Sequence, residues 1–362
     1  MSETPLNDAA ASETPTSETT QPQTTPRPTR SIPWMWIFTL ALAALLLYLA
    51  FRGVDWGELL AIVQQGRLES LILAGLVMIV SYFLRSLRWR VLVNAEGGVP
   101  VAATFWGVWV GYMGNYFLPA RAGEFLRSVM VARRVRLQFG FVLATTLTER
   151  IMDAGALVLI VLATISALPE IPAWLETGAQ TMALLAVVGI LGLMIAPHLE
   201  GLIRRILAWL PLPGRVGALL DDFTARFLLG IRALQNPGRA AIFLTMTVVV
   251  WGVDVVFAQQ IAAAFGLALT VPQILLLIAA LGLSSAAPST PGYLGIYQFV
   301  SVAILTPFGY SEAQALVFII ALQAVTYILV VIFGLLGLWQ LGTPGVRVGE
   351  LLRQRTAATT DG

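Results

Sequence analysis

The charged residues of this chain are few, and the most informative of them interrupt an apolar segment. Glu149, Arg150 and Asp153 lie in the run TLTERIMDAGAL, about half-way along the otherwise uncharged segment 137–168. Because residues three or four apart share a helix face, all three can lie towards one side of a helix. A charge at the centre of a membrane helix costs about 2.5–3.5 kcal/mol on insertion scales. The pattern therefore favours a polar cavity for an ion, a proton or a headgroup, and a self-neutralising cluster that packs helices together is the alternative.

A second group of charges follows an uncharged apolar run, in the stretch NYFLPARAGEFLR at 115–127. Pro119 and Gly123 should break a helix there and form a turn. Arginines at this point can hold an anionic headgroup, and a glutamate between them can orient them or carry a proton. The candidate substrate-binding residues of this stretch are Asn115, Arg121, Glu124 and Arg127. A salt-bridged loop is the alternative interpretation.

Two other places carry charge that could serve a site. The run RSLRWRVLV contains Arg85, Arg88 and Arg90, which are expected to snorkel at a cytoplasmic membrane boundary. The alternative is that this run forms a phosphate seat that faces inward, with Arg88 as the substrate-binding candidate. Asp254 is the only charge in the segment 240–265. Further polar groups that could meet it are Gln259, Gln260 and Gln323.

The composition defines the elements that must position these residues. Of the 362 residues, 57% are hydrophobic and only 12% are charged, whereas globular domains have about 25% charged residues. The chain is therefore predicted to be an all-α polytopic membrane protein. Cysteine is absent, which excludes disulfides and thiolate metal sites. No P-loop motif is present, and the sequence predicts no catalytic residue, metal, cofactor or nucleic-acid partner.

Uncharged or nearly uncharged segments mark the predicted membrane elements. They fall near 32–51, 70–87, 101–120, 137–168, 177–199, 240–265, 271–287, 293–308 and 313–341. The predicted transmembrane domain is therefore 32–341. Residues 1–31 are polar and should form a disordered tail, and 342–362 should form a second tail.

Arginine placement predicts the topology of these segments. Arginines in short loops face the cytoplasm, so both tails and the loop 200–239, with six arginines, should be cytoplasmic. The segment 101–120 precedes five arginines between 121 and 136. These five arginines stay on the cytoplasmic side if 101–120 is a re-entrant hairpin that does not cross the membrane.

The second half of the chain also requires a re-entrant segment if its last span is to end on the cytoplasmic side. A second re-entrant hairpin at 271–308 would turn at Pro288 and Gly292, whose spacing repeats that of Pro119 and Gly123. About six spanning helices and two hairpins result, in halves 32–168 and 177–341 of opposite orientation. This is an inverted-topology repeat, which in secondary transporters places the site between broken helices.

Four blocks of the sequence carry a resemblance to a known family. SYFLRSLRWRVLV, NYFLPARAGEFLRSVMVARR, TERIMD and APSTPGYLGIYQ resemble blocks of the lysylphosphatidylglycerol synthase transmembrane-region family, also called the flippase-like domain family, over roughly 32–341. The most specific block is N-x-x-x-P-x-R-x-G-E followed by an arginine. The resemblance implies a multi-spanning flippase-like domain in the inner membrane. By the motif match, the functional positions would be Asn115, Arg121, Glu124, Arg127, Glu149, Arg150 and Asp153.

Three functions are consistent with these observations. The first is a lipid translocase that moves an anionic or lipid-linked substrate, with a phosphate headgroup, without nucleotide hydrolysis. The second is an intramembrane lipid-modifying transferase that uses Glu124 or Asp153 as a base. The third is a non-transporting partner of an envelope enzyme, docked through the arginines of 200–239. Lysyl transfer is not expected, because no soluble transferase domain accompanies the membrane segments, and a homo-oligomer is a further alternative.

Overall fold

The computed structural model describes residues 34–118, 122–165, 195–209, 214–285 and 291–342, together with 177, 181, 184 and 187–192. The predicted tail 1–31, residues 343–362 of the second tail and part of the segment 177–199 lie outside the described residues. So do three predicted site or turn residues, namely Pro119, Arg121 and Pro288.

The described residues form helices and their connections, without a strand among them. The α-helices are α1 Trp34–Phe51, α2 Trp56–Gln64, α3 Leu68–Val93, α4 Val101–Phe117, α5 Gly123–Val135, α6 Phe139–Ile165, α7 Glu200–Trp209, α8 Gly214–Arg232, α9 Pro237–Ala264, α10 Val271–Ser284, α11 Ile296–Leu305 and α12 Glu312–Gly342. The prediction of an all-α polytopic membrane protein is confirmed.

Three of the described helices, α3, α9 and α12, are long and apolar enough to cross a membrane. The 27 residues of α6 give a length of about 40 Å at 1.5 Å per residue, which exceeds a hydrocarbon core of about 30 Å. This helix differs from the other three because Glu149, Arg150 and Asp153 lie near its middle.

Among the described helices, α3 and α9 make the most extensive contact, which is called the seam below. The two helices are antiparallel, because Arg85 of α3 meets Asp254 of α9 while Arg88, one turn later, meets Thr247. The seam thus joins two elements that are far apart in the sequence, since Arg85 and Asp254 are separated by 169 positions.

Helices α4 and α5 form an antiparallel hairpin in which glycines of α4 face α5. The pairs that meet are Gly107 with Val131, Gly111 with Arg127, and Gly114 with Gly123. A methyl group added at Gly114 would lie 2.6 Å from the Cα atom of Gly123, so the two backbones are in direct contact. The sequence confined this hairpin to 101–120, but the return arm is α5, which carries the following arginines.

The second helix pair, α10 and α11, packs together within the range predicted for the second hairpin. Across the molecule, α4 packs on α12 and α6 packs on α10. The connection at Pro291–Tyr293 reaches α4, where the Tyr116 ring lies 5.7 Å from that of Tyr293 and 4.8 Å from that of Tyr327. The connecting ends of both helix pairs therefore meet in the interior.

Helices α7 and α8 occupy the arginine-rich stretch 200–239. α8 packs on α6, where a methyl group at Gly230 would lie 2.5 Å from Ala144 Cβ. On the exposed side of α8, Arg226 Nε donates to both oxygens of Asp222 at 3.0 Å. This is a surface salt bridge between residues four apart on one helix.

Candidate functional site

A cavity of about 640 Å³ lies where the connecting ends of the two helix pairs meet α3, α6 and α9. Its volume is typical of small-molecule sites, which measure about 300–1,000 Å³. Its charged and amide lining consists of Arg85, Asn115, Glu124, Arg150 and Asp153. Its apolar wall follows α6 through Leu147, Ile151, Ala154, Leu157 and Val158. The cavity therefore has a charged end and a hydrocarbon-like side.

Behind this wall, a network of ion pairs joins α3, α5 and α6. Arg88 holds Asp153 with both terminal nitrogens, at 2.7 and 3.0 Å, and donates to Glu149 Oε1 at 2.9 Å. Arg127 donates to the other oxygen of Glu149 at 2.6 Å. Arg88 and Arg127 are 0% and 1% exposed. Each helix contributes a charge that another helix neutralises, and the bidentate geometry fixes their mutual orientation.

The hairpin of α4 and α5 presents its own polar group to the cavity. Asn115 donates from Nδ2 to Glu124 Oε1 and accepts the backbone N–H of Gly123 at Oδ1, both at 3.0 Å. Arg150 Nε lies 3.1 Å from the same Glu124 oxygen, and Arg150 Nη1 lies 3.8 Å from Asp153 Oδ2. Arg150 thus lies between two carboxylates at the cavity surface, with 23% of its side chain exposed.

A third ionic contact joins α3 to α9 at the cavity. Arg85 Nη2 pairs with Asp254 Oδ2, and the hydroxyl of Ser81 donates to Asp254 Oδ1 at 2.5 Å. The Arg85 guanidinium lies 5.4 Å from the Trp251 ring and 5.9 Å from the Tyr112 ring. Arg85 is only 9% exposed, and aromatic rings at this distance stabilise a desolvated cation.

The structure brings most of the predicted substrate-binding residues into one region, in two layers. Four of them line the cavity: Asn115, Glu124, Arg150 and Asp153. Three are buried behind it: Arg88, Arg127 and Glu149. Asp254 reaches the cavity through its partner Arg85. Arg121 lies outside the described residues, so its role stays a prediction.

Two expectations from the sequence differ from the structure. Arg85 and Arg88 do not snorkel to a membrane boundary, because Asp254 and Asp153 neutralise them in the interior. Asp254 meets Arg85 and Ser81, whereas Gln323 bonds to Gln298 at 2.5 Å. Arg85, which the sequence offered as part of an inward phosphate seat only as the alternative, lines the cavity, and its spacing of three from Arg88 places both on one helix face.

Both predicted glycine turns are sites of close packing. A side chain at Gly123 would collide with the carbonyl oxygen of Gly111 and with Asn115. Gly292 has a φ of 76°, and a methyl group there would lie 2.6 Å from the Tyr327 hydroxyl oxygen. The Gly292 carbonyl accepts from Tyr327 and from Gln323, the latter at 3.1 Å. Glycine supplies the positive φ and the space at this second position.

Comparison with known proteins gives this arrangement a family context. The family model described as the lysylphosphatidylglycerol synthase TM region matches residues 36–334. The chain belongs to this family. The resemblance found in the sequence is thereby confirmed, and the protein is a membrane protein of a lipid-related family.

A curated relative gives a second comparison. The chain is 25% identical over 303 residues to glycosyltransferase AglD of Haloferax volcanii, an alignment that covers 74% of this chain and 48% of that protein. The chain thus spans about half the length of this relative. No solved structure matches the chain.

Proposed function

We propose that the protein is a translocase that moves an anionic or lipid-linked substrate across the cell inner membrane without nucleotide hydrolysis. The observation that carries the proposal is the cavity, which combines arginines at one end with an apolar wall at its side. A phosphate headgroup can be held by Arg85 and Arg150 through charge-assisted hydrogen bonds. The lipid chain then follows the apolar residues of α6 towards the bilayer.

The position of the cavity supports transport because it lies between the ends of interrupted helices. Non-helical backbone at membrane depth is tolerated where protein or a watery cavity surrounds it. The last turn of α4 borders this space through Asn115 and Tyr116, and the residues next to α10 and α11 border it through Ser285 and Tyr293. Both helix pairs would therefore be re-entrant hairpins that carry the substrate site on their tips.

Reciprocal helix contacts support an inverted repeat of the halves 32–168 and 177–341. If α3, α4, α5 and α6 correspond to α9, α10, α11 and α12, the contact of α4 with α12 has its counterpart in that of α10 with α6. The contact of α3 with α9 relates the corresponding helices directly. In this proposal both termini are cytoplasmic, and the two halves rock around the central site.

The family and the relative support a lipid as the substrate class. The name of the curated relative, a glycosyltransferase, makes a glycosylated lipid phosphate one of the anionic substrates to test. Arg85 and Arg150 line the cavity, and the planar fork of a guanidinium suits the bidentate recognition of phosphate. Arg121 belongs to the same motif and is proposed to complete the headgroup site.

Reconstituted vesicles test this function directly. Fluorescent phosphatidic acid and phosphatidylglycerol in the inner leaflet should become accessible to an impermeant quencher faster with the protein than in empty vesicles. Arg150→Ala should abolish the acceleration, because the cavity loses its partly exposed cation. Arg150→Lys should restore only part of it, since lysine keeps the charge but loses the planar fork.

Matched variants and lipids complete the assay. Arg226→Ala removes an exposed ion pair on α8 and should transport at the wild-type rate. Fluorescent phosphatidylcholine, which carries no net charge, should move more slowly than the anionic lipids. Equal rates in protein-containing and empty vesicles for every anionic lipid, glycosylated lipid phosphates included, would refute the proposal.

A further inference from the structure

We infer that Asp254 is an internal counter-anion, which a phosphate-bearing headgroup displaces from Arg85 when it binds. This inference rests on the proposed function and adds a trigger to it. Arg85 would be the primary phosphate anchor, and the separation of Arg85 from Asp254 would be the first consequence of binding.

Three buried arginines differ in how many carboxylate contacts they make. Arg88 has three carboxylate contacts, at 2.7, 2.9 and 3.0 Å, and is buried behind the wall. Arg127 is bound to Glu149 and covered by the Trp89 ring at 4.5 Å. Arg85 is on the cavity wall, and among the described residues the carboxylate that it pairs with is Asp254. It is the buried cation that a ligand in the cavity can reach.

Donors without acceptors accompany Arg85 at this side of the cavity. Among the described residues, neither Arg85 Nε nor Trp251 Nε1 has a hydrogen-bond partner, and both atoms are buried. Arg88 Nε, Arg127 Nε and Arg150 Nε share this property. The first two lie behind the wall, and Arg150 Nε is 3.1 Å from a carboxylate oxygen of Glu124. Buried donors without acceptors are costly. A phosphate, with more acceptor oxygens than a carboxylate, satisfies more of them than Asp254 does.

The surroundings of the pair allow Asp254 to leave while Arg85 stays in place. Ser81 holds the second oxygen of Asp254 and remains its partner after the exchange. The rings of Trp251 and Tyr112 hold the guanidinium from two other helices. The exchange therefore replaces one anion with another on a cation whose position is kept by aromatic contacts.

The location of the pair gives the exchange a mechanical consequence. Arg85 and Asp254 tie α3 to α9, and these helices belong to different proposed halves. When phosphate takes Arg85, the seam loses its ion pair and keeps only uncharged or cation–π contacts among those described. These are the hydrogen bond of Ser81 to Asp254, the Trp251 ring on Arg85, and Arg88 with Thr247 at 3.3 Å. Occupancy of the site is thereby coupled to the freedom of one half to move against the other.

The test measures whether a phosphate lipid replaces a missing carboxylate. Asp254→Asn keeps the size and a hydrogen bond to Ser81 but leaves Arg85 without its counter-anion. The detergent-solubilised variant should melt below wild type, and dihexanoyl phosphatidic acid should raise its melting temperature more than it raises that of wild type. If Asp254 occupies Arg85 for about 90% of the time, the apparent Kd for this lipid should fall about ten-fold in the variant.

Asp153→Asn is the matched control. Asp153 also lines the cavity, but its partner Arg88 is fully buried behind the wall. This variant should melt below wild type without any extra gain from phosphatidic acid. Equal rescue of the two variants would overturn the inference, because it would show general stabilisation by anionic lipid.

Two further arms identify what is recognised and protect against a misfolded variant. If inorganic phosphate rescues Asp254→Asn as well as the lipid does, the exchange is supported and the phosphate group alone is sufficient. If only the lipid rescues the variant, the exchange is supported and the acyl chains contribute to binding. Dihexanoyl phosphatidylcholine should rescue neither variant. Should Asp254→Asn fail to fold, Ser81→Ala loosens Asp254 without removing a charge and should bind phosphatidic acid more tightly than wild type.

A lack of any gain in affinity in the variant that folds overturns the inference. The vesicle assay on wild-type protein is independent of this result, so translocation by wild type together with no gain in Asp254→Asn rejects the counter-anion and leaves the translocase standing.

Discussion

Glu149 connects two cations that come from different parts of the chain. Its Oε1 accepts from Arg88 of α3 and its Oε2 from Arg127 of α5. A single carboxylate therefore sets the positions of both helices against α6. Its role is to hold the cavity wall, whereas Arg150, the next residue, turns its side chain to the cavity itself.

Replacement of Glu149 by glutamine should strongly destabilise the protein. The variant leaves Arg88 and Arg127 sharing a neutral amide in the interior, and breaking a buried ion pair costs about 3–5 kcal/mol. Thermal melting in detergent measures the loss. Asp222→Asn removes the acidic partner of an exposed pair on α8 and should melt close to wild type. Similar melting of both variants would show that Glu149 does not organise the wall.

Residue types and local spacing predicted most members of the ion pairs but not which distant residues pair with each other. The run TERIMD placed Glu149 and Asp153 on one face, because helical periodicity is a local signal. Their partner Arg88 lies 61 and 65 positions away, and Arg85 and Asp254 are 169 apart. Contacts over such separations depend on helix packing, which no short pattern in one sequence reports. That is why Arg85 and Arg88 looked like interfacial arginines.

At the scale of elements, the hairpin of α4 and α5 depends on the absence of side chains. Proline and glycine predicted a turn at 119–123; of these two residues the structure describes Gly123, which lies at the start of α5. The sequence placed the return arm too early because α5 carries arginines, which hydropathy assigns to a loop. Arg127 is nevertheless buried, because Glu149 neutralises it and Gly111 leaves space for its aliphatic stem, whose Cδ would lie 2.7 Å from a methyl group added at Gly111.

A methyl group at Gly123 should separate the two arms. Gly123→Ala would push against the Gly111 carbonyl and the Asn115 side chain, and such overpacking costs about 1–3 kcal/mol. Asn115 and Glu124 would shift with the arm, so transport of phosphatidic acid should fall together with the melting temperature. Both are measurable on the same purified protein.

Gly252 provides the control for this substitution. It lies within α9, and a methyl group added there would have nothing within 4 Å among the described residues. Alanine is also the better helix former by about 1 kcal/mol. Gly252→Ala should therefore keep or raise the melting temperature. A loss of stability as large as that of Gly123→Ala would mean that the hairpin contact is not the cause.

At the scale of the whole molecule, the proposed topology makes a prediction about access from the two sides. The loop between α2 and α3 should face outward and the connection before α9 should face the cytoplasm. Gln65 and Gln235 are exposed at these places. Because the chain has no cysteine, single cysteine variants report on one position each.

An impermeant thiol reagent added to intact cells should label Gln65→Cys and not Gln235→Cys. Permeabilised cells should show labelling of both, which controls for reactivity. Labelling of Gln235→Cys without labelling of Gln65→Cys in intact cells would show the opposite orientation to the one derived from the arginines. Equal labelling of both positions from outside would reject the arrangement of two opposed halves.

The two helix pairs differ in the kind of polar contact that holds them. The α4–α5 pair is tied to its neighbours by ionised groups, Glu124 and Arg127 among them. The α10–α11 pair lies within residues 255–311, which contain no charge, and Gln298 and Gln323 hold it to α12 through neutral amides.

This difference concerns the membrane voltage. Moving one elementary charge through the full potential changes the free energy by about 2.3 kcal/mol per 100 mV. If α10 and α11 move in the proposed transport cycle, they carry no formal charge through the field, and only their helix dipoles respond to voltage. A displacement of α5 carries ionised side chains and does work in the field unless their partners on α3 and α6 move with them. In the proposed translocase, an energised membrane would therefore act more strongly on the α4–α5 side of the cavity than on the α10–α11 side.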